Sequence, residues 1–321
     1  MKLVESINCE LKRLVKEAGP VTIFGQNIDA GSYLGGLTRG LASVNSGLTL
    51  NTPNSENLLV GLGYGLMSAD VPSIYFMKQT DFLCLAIDQL VNTHNIFQLR
   101  PPKTSFAIIP VCVDSGFEGP QSSLNNLDDI GAVSGIPIFS VATAFDVQNI
   151  FSRYLFAPGI KIIAISQQQL KKEIISSPGE SLDGEERLVR YRRGKDVDVF
   201  CFNFAISYGL KLTEELRSEG IDSSLFSINP RAPTDVASLL SNWVPENDVA
   251  VFIDDGKSRS KSYQTVERFM LERGLKNRPI VLARSPSSKL LPPSEDRLCI
   301  DYRKEVSRIK AMIVRKKTCS G

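Results

Sequence analysis

The sequence predicts an α/β protein made of two doubly wound domains, each with a largely parallel sheet. Apolar runs of strand length alternate with amphipathic stretches of helical length, which is the pattern of parallel sheets covered by helices. Residues 176–199 interrupt this alternation with a polar, charged stretch containing two glycine turns, the composition of an interdomain connection. The 321 residues are enough for two hydrophobic cores. We therefore predict domains 1–185 and 186–321.

The predicted elements of the first domain follow one another in order along the chain. A strand in PVTIFGQNI is followed by a helix in SENLLVGLGYGLMSAD, a strand in VPSIYFM and a helix in FLCLAIDQLVNTHNIF. The alternation continues through TSFAIIPVCVDSG, IPIFSVAT, DVQNIFSRYLF and GIKIIAIS. The β-branched runs favour strands, and the longer periodic stretches favour helices.

The second domain begins with a new strand and is predicted to be a smaller α/β unit. The strand DVDVFCFNFA precedes the helix ISYGLKLTEELRSEG, whose final glycine suits a left-handed C-cap. The remaining predicted elements are IDSSLFSINP, DVAVFIDDG, the helix SYQTVERFMLERG and RPIVLAR.

Charge and hydropathy exclude two classes of partner. The chain has 37 basic and 35 acidic residues, so no overall field attracts nucleic acid. The basic run RLVRYRRGK contains one aromatic residue, Tyr191, and is interpreted as a solvated linker. No apolar run reaches the roughly 18 residues of a membrane span, and the charged amino end lacks a signal-peptide core. We expect a cytoplasmic protein.

Cysteine and histidine usage limits the possible chemistry. The six cysteines are scattered without a C-x-x-C pair, and His94 is the single histidine. A multi-histidine metal site is therefore excluded, and no metal ligands are predicted in this chain. Acid–base catalysis would depend mainly on carboxylates, on a cofactor or on another chain.

The stretch NTPNSENLLVGLGYGL contains three alternating glycines, Gly61, Gly63 and Gly65. A dinucleotide-binding loop has the spacing G-x-G-x-x-G between a strand and a helix, and this stretch has neither the spacing nor the preceding strand. Glycines within a helix allow another backbone to come close. We therefore predict that the three glycines form a subunit interface.

Together with Glu56, these glycines form the pattern E-x4-G-Φ-x-x-G, with Leu62 as the apolar position. The pattern resembles the pyrimidine-domain motif of thiamine diphosphate enzymes. The blocks GQNIDAGSYLGGLTRGL, NTPNSENLLVGLGYGL, FLCLAIDQLVN and VCVDSGFEGPQSS resemble, in order, those of the β subunit of 2-oxo acid dehydrogenase E1 components, which is transketolase-like. From Asp196 the chain resembles the transketolase carboxy-terminal domain, so the resemblance covers almost the whole sequence.

The resemblance implies thiamine diphosphate as cofactor and Glu56 as the catalytic residue that hydrogen-bonds the aminopyrimidine ring. It also implies that Phe82 packs on this ring, with Leu58 and Tyr75 as neighbours. Burial in an apolar interface would favour the neutral, hydrogen-donating form of Glu56. The residues alone also permit Glu56 to be a carboxylate at a helix N-terminus capped by Ser55 or Asn54. They equally permit Phe82, Leu58 and Tyr75 to be ordinary core residues.

Two departures from the family shape the functional prediction. The G-D-G motif followed by asparagine, which holds the diphosphate through Mg²⁺, is absent. The resemblance therefore implies an α-type partner subunit that carries the diphosphate and Mg²⁺, in an α2β2 heterotetramer.

The second departure is a missing histidine, because Gln121, Ser122 and Ser123 stand where relatives have one. Serine and glutamine can hydrogen-bond but cannot shuttle protons near neutral pH as imidazole does. We predict a β-type subunit of an enzyme that transfers an acyl or ketol unit from a 2-oxo acid or ketose to a carbonyl acceptor. The alternatives are an orthodox E1 β subunit that acylates a lipoyl carrier, a split transketolase and a degenerate, structural or regulatory subunit.

Overall fold

The computed structural model describes residues 1–119, 124–229, 247, 249–257, 279–284, 294–295 and 298–319. The chain forms two compact units, one comprising Met1–Ser177 with Lys289–Glu295 and the other Pro178–Ser288 with Asp296–Gly321. The first unit ends at Ser177, upstream of the predicted boundary near residue 185. The reason is that residues 180–192 pair with the sheet of the second unit.

The first unit contains a six-stranded sheet in the order β2-β1-β3-β4-β7-β6, and all its strands are parallel. Its strands are β1 (Thr22–Gly25), β2 (Thr49–Asn51), β3 (Ser73–Met77), β4 (Ser105–Cys112), β6 (Ile138–Val141) and β7 (Gly159–Ser166). Its helices are α1 (Leu3–Ala18), α2 (Leu41–Val44), α3 (Glu56–Ser68), α4 (Ile87–Leu99), α5 (Leu127–Ser134), α6 (Ala144–Tyr154) and α7 (Gln167–Leu170). The predicted parallel α/β architecture is confirmed.

Helices cover both faces of this sheet. On one face α1 and α6 pack together, and α1 buries an apolar stripe at helical spacing, namely Leu3, Ile7, Leu11, Leu14 and Val15. On the other face α3 packs on β3 and β4 and also contacts α4. Helices therefore bury both faces of the sheet, as is usual for parallel strands.

The second unit has a six-stranded sheet in the order β13-β12-β10-β11-β9-β8. The strands are β8 (Glu180–Ser181), β9 (Leu188–Arg192), β10 (Val197–Phe202), β11 (Ser223–Ile228), β12 (Ala250–Asp254) and β13 (Ile280–Ala283). Strands β10 to β13 are parallel, and β8 and β9 run antiparallel at one edge. The helices are α8 (Ile206–Ser218) and α9 (Tyr302–Cys319), and the core contains stacked phenylalanines, with Phe200 and Phe226 centroids 4.7 Å apart. This unit confirms the second largely parallel sheet.

The basic run at 187–195 is corrected by the structure, since most of it is a strand rather than a solvated linker. In β9 the side chains of Leu188, Val189 and Tyr191 are buried, while the intervening arginines are partly exposed. From Val189 onward, the alternation of apolar and basic residues has the period of a half-buried strand, which pairs with β11 on one side and β8 on the other. The helix predicted at SYQTVERFMLERG lies outside the described residues.

Candidate functional site

Glu56 lies at the first position of α3, just beyond the carboxyl end of edge strand β2. Ser55 occupies the N-cap position but its side chain makes no capping hydrogen bond, so the predicted serine cap is present in position only. The Glu56 side chain is half-buried. A carboxylate at this position is favoured by the positive end of the helix dipole, whatever further role it has.

Helix α3 has two different faces. Leu59, Val60, Gly63 and Met67 are buried against the sheet. The opposite face carries Leu58, Gly61, Leu62 and Gly65, which lie at i, i+3, i+4 and i+7. Leu58 is 66% exposed and Leu62 is 39% exposed, so this face is both apolar and open.

The predicted interface of three glycines is corrected for Gly63. A β-carbon on Gly63 would lie 2.1 Å from Cζ of Phe106, so this glycine makes room for a ring of its own domain. A β-carbon on Gly65 would meet nothing within 4 Å. Gly61 and Gly65 are four residues apart and therefore lie on the same, open face of α3. Gly63, two residues from each of them, lies on the buried face.

Aromatic rings form a layer beneath α3. The ring centroids of Phe24 and Tyr75 are 5.2 Å apart and nearly parallel, and those of Phe24 and Phe106 are 6.3 Å apart. Burial raises the pKa of the Tyr75 phenol well above its usual range, and the nearby Glu56 carboxylate adds to this rise. The Glu56 carboxylate therefore lies near enough to Tyr75 to act on its phenol electrostatically.

Phe82 lies in a 3₁₀ helix, Thr80–Ala86, that precedes α4 and contacts α3. The sequence predicted one continuous helix from Phe82, but Thr80, Leu83 and Ala86 are buried at a spacing of three residues. This spacing suits the three-residue turn of a 3₁₀ helix. Phe82 itself is partly exposed.

Polar side chains gather where neighbouring strands β3, β4 and β7 end. Gln79 and Gln167 both donate from Nε2 to the carboxylate of Glu118, and Ser166 Oγ donates to Asp114 Oδ2 at 2.5 Å. Sequence reasoning did not single out these residues. For Gln79, Asp114 and Gln167 the signal that could have found them is position, because each lies within two residues of the end of a buried parallel strand. Glu118 lies six residues beyond β4 and carries no such signal.

The sequence also made predictions about the loop that lacks the family histidine, about metal ligands and about membrane spans. Gln121, Ser122 and Ser123, where the family histidine is missing, lie outside the described residues. Within the described ranges, no three His, Cys, Asp or Glu side chains come together as metal ligands would. No helix in the described part of the chain is long and apolar enough to cross a membrane.

His94, the single histidine, lies near the carboxyl end of α4, with its Nε2 3.3 Å from Gln98 Nε2. Burial lowers the pKa of the imidazole. It packs close to Gly135 at the end of α5, so its contacts are those of a helix-packing residue.

The side chains fit one half of thiamine diphosphate. Glu56 offers a carboxyl group for a ring nitrogen, Leu58 offers an exposed apolar group two residues further along α3, and Phe82 offers a partly exposed aromatic ring. The described residues offer no metal-ligand set for a diphosphate. A carboxyl group, an aromatic ring and an apolar side chain are the kinds of group that suit the pyrimidine ring.

Comparison with known proteins gives similarity over almost the whole chain. The chain is 21% identical over 301 residues to the pyruvate dehydrogenase E1 component subunit beta of Staphylococcus epidermidis, covering 91% of each protein. It is 22% identical over 236 residues to the acetoin:2,6-dichlorophenolindophenol oxidoreductase subunit beta of Cupriavidus necator, covering 72% of this chain and 69% of that protein. No family model matches.

Solved structures share the fold at lower sequence identity. A split-gene transketolase, solved as an inactive beta4 tetramer, superposes with a TM-score of 0.68 at 14% identity and covers 97% of both chains. The transketolase of Campylobacter jejuni gives a TM-score of 0.64 at 12% identity, covering 95% of this chain and 44% of that one. The family resemblance seen in the sequence motifs is confirmed by these matches.

Proposed function

We propose that this chain, a homologue of the β subunits of thiamine diphosphate-dependent E1 components with the fold of transketolase, is the pyrimidine-binding subunit of a two-component enzyme. The reaction is transfer of an acyl or ketol unit from a 2-oxo acid or ketose donor to a carbonyl acceptor. The observation that carries this proposal is the half-buried Glu56 at the start of α3, on the same helix as the exposed apolar face.

Thiamine diphosphate, when bound, supplies a carbanion centre at its thiazolium ring that neither protein chain could provide. Glu56 would hydrogen-bond the aminopyrimidine nitrogen and hold a proton there. Phe82 would pack on the ring, and Leu58 would cover it with apolar surface. These groups orient the cofactor and exclude water, which is the contribution that a protein makes to such chemistry.

The open face of α3 supports a second chain in this role. This face carries the exposed Leu58 and Leu62 together with Gly61 and Gly65. An apolar surface that includes small residues is suited to close packing against another subunit. The partner is proposed to be an α-type subunit that holds the diphosphate and Mg²⁺. An α2β2 heterotetramer in the cytoplasm is the corresponding assembly.

Replacement of Glu56 tests the proposal. In the complex purified with its partner, Glu56→Gln keeps the side-chain shape but removes the ionisable group. We expect turnover to fall by roughly 10²- to 10⁴-fold, the range typical of a lost acid–base group. Asp88→Asn is the matched control, because Asp88 is an exposed carboxylate in the first turn of α4 and serves only the helix dipole.

Full turnover in Glu56→Gln would contradict the proposed mechanism. Binding of thiamine diphosphate to the complex, measured by titration, tests the cofactor separately from the reaction. A complex that neither binds the cofactor nor turns over would identify a structural or regulatory subunit. Transfer to a lipoyl carrier with NAD reduction would instead identify an orthodox E1 component.

A further inference from the structure

The basic run RLVRYRRGK contributes its last residues to two grooves on the second unit, at the amino edge of the second sheet. One groove has a volume of about 600 Å³ and the other of about 500 Å³. Arg193 and Asp222 line both grooves, so the two adjoin. Together they form one longer depression, which the proposed function of the chain does not use.

Positive charge dominates the described lining of these grooves. Four of the lining side chains are cationic and one is anionic, namely Arg192, Arg193, Lys195 and Arg217 against Asp222. Arg192 Nη2 lies 3.9 Å from Asp222 Oδ1, an ion pair that is too long for a hydrogen bond. One carboxylate offsets a single positive charge, so the described lining keeps a cationic excess that attracts anions.

The backbone at Gly194, between two of these cations, is held in place by hydrogen bonds. The N–H of Gly194 donates to Ser224 Oγ at 3.0 Å, and the Gly194 carbonyl accepts from Ser224 Oγ at 3.0 Å and from Asn247 Nδ2 at 3.2 Å. Asn247 also donates to the fully buried Asp198, from Nδ2 to Oδ1 at 2.7 Å. The side chains on either side of Gly194 therefore extend from a fixed stretch of backbone.

The opposite wall is fixed to this stretch. Arg217 lies in the last turn of α8, and Gly220, with φ of +74°, turns the chain towards β11. The N–H of Asp222 donates to Asp196 Oδ2 at 2.8 Å, and the N–H of Asp196 donates to the carbonyl of Asp222 at 2.9 Å. This pair of hydrogen bonds joins the two walls, so the spacing of the cations is set before any ligand arrives.

The cation types and the size of the grooves define the ligand class. The planar fork of arginine matches two oxygens of a phosphate group, and lysine binds phosphate as a point charge. Small-molecule sites typically have volumes of about 300–1,000 Å³, which includes each groove. Cations distributed along two adjoining grooves suit an elongated anion with more than one phosphate group.

The described lining favours a small anion over a nucleic acid. Proteins that bind single-stranded nucleic acids place aromatic side chains where bases can stack. None of the described lining residues is aromatic, and Tyr191, the aromatic residue of the basic run, is buried. The described grooves therefore offer contacts to phosphate groups without a surface for bases.

We propose that these two grooves bind a small polyphosphate, a ligand with two or more linked phosphate groups. Arg193, which lines both grooves, contacts the middle of the ligand, while Arg217 in one groove and Lys195 in the other hold its ends. The carboxylate of Asp222 lies in the same depression and limits the affinity by repulsion. The site belongs to the second unit, and its chemistry is independent of the function proposed for Glu56.

Titration calorimetry of the full chain with inorganic triphosphate tests the site, and this probe carries no thiamine group. We expect saturable binding that weakens as salt is added, because exposed charges are screened. Arg193→Gln should weaken binding by roughly tenfold or more, through loss of a charge-assisted contact, and Arg193→Lys should have an intermediate effect. Asp222→Asn should tighten binding by roughly threefold or more, because it removes the repulsive charge. Arg100→Gln, which replaces an exposed arginine of the first unit, is the matched control and should change nothing.

The two opposite shifts distinguish a binding site from damage to the fold, because a damaged fold does not tighten binding. Absence of triphosphate binding at low salt would overturn the site. Equal effects of Arg193→Gln and Arg100→Gln, or no gain in Asp222→Asn, would overturn its location in these grooves. Tighter binding of a short oligonucleotide or of a polyglutamate peptide than of triphosphate would overturn the small polyphosphate as the ligand. Turnover with thiamine diphosphate enters none of these measurements, so the proposed function is tested separately.

Discussion

Replacing Gly63 with alanine should destabilise the first unit, although alanine is the better helix former. The added β-carbon would lie 2.1, 2.3 and 2.5 Å from three ring atoms of Phe106, whereas carbon atoms normally pack at about 3.5–4.0 Å. Phe106 is fully buried and lies in the aromatic layer with Phe24, so its ring cannot move aside freely. Overpacking of this kind costs about 1–3 kcal/mol.

Gly65→Ala is the matched control, two residues further along the same helix. Its β-carbon would meet nothing within 4 Å, so the helix gains about 0.5–1 kcal/mol from the more favourable residue. Thermal unfolding of the two variants, followed by circular dichroism, should therefore shift in opposite directions. For a domain of this size the two Tm values should separate by roughly 5–15 °C.

The reasoning is refuted if Gly63→Ala melts at or above the temperature of Gly65→Ala. A second measurement guards against a general loss of folding. Phe106→Leu removes ring atoms from the crowded position, so the double variant Gly63→Ala/Phe106→Leu should lose less stability than the sum of the two single changes. Simple additivity would mean that Gly63 and Phe106 do not contact each other.

Two further predictions concern charge and partner binding. Burial lowers the pKa of Lys161 to about 7, so the unfolded chain binds a proton that the folded chain does not, and stability rises with pH from about 7 to about 10.5. Lys161→Met should therefore raise the free energy of unfolding by roughly 2–4 kcal/mol more at pH 6 than at pH 10, as measured by urea denaturation. The control Lys172→Met, which replaces an exposed lysine, should show no such difference between the two pH values. Leu58→Asp should weaken association with the α-type partner by roughly tenfold or more, measured by co-purification and titration, because it places a charge in an apolar interface. The same change at Leu99, exposed at the end of α4, is the control, and equal effects would argue against a partner on α3.

Much of the fold could be predicted from the sequence, because apolar residues that become buried recur at the spacing typical of a helix or form continuous runs typical of a buried strand. The central strands are continuous apolar runs, which is how strands covered on both faces appear. The helix at 206–218 ends two residues before Gly220, whose φ of +74° is the left-handed conformation expected there. The sequence did not predict strand β9, because its arginines made the segment resemble a charged linker although Leu188, Val189 and Tyr191 are apolar.

The candidate site was predictable only in part, because the spacing of a motif identifies residues but does not show which of them face the core of their own domain. The pattern around Glu56 identified α3, but it could not show that Gly63 turns inward and Gly65 outward. Glu118 carries no motif, and its hydrogen bonds form only because the folded chain brings the residues after β3 and β7 together around it. Such contacts join residues 39 and 49 positions apart in the sequence, and no local pattern encodes them.

The half-burial of Glu56 gives a physical reason for a two-chain enzyme. Beneath it lies the packed aromatic layer containing Tyr75, and beside it lies the open face of α3 with Leu58 two-thirds exposed. Water at this face keeps the local dielectric high, so the proposed hydrogen bond from Glu56 to a ring nitrogen would be weakened in the isolated chain. A partner that covers Leu58 and Leu62 would exclude that water and strengthen the hydrogen bond in the same event. Under the proposed function, subunit association and activation of the carboxyl group would be one process, and the isolated chain is expected to be inactive even when thiamine diphosphate is supplied in excess.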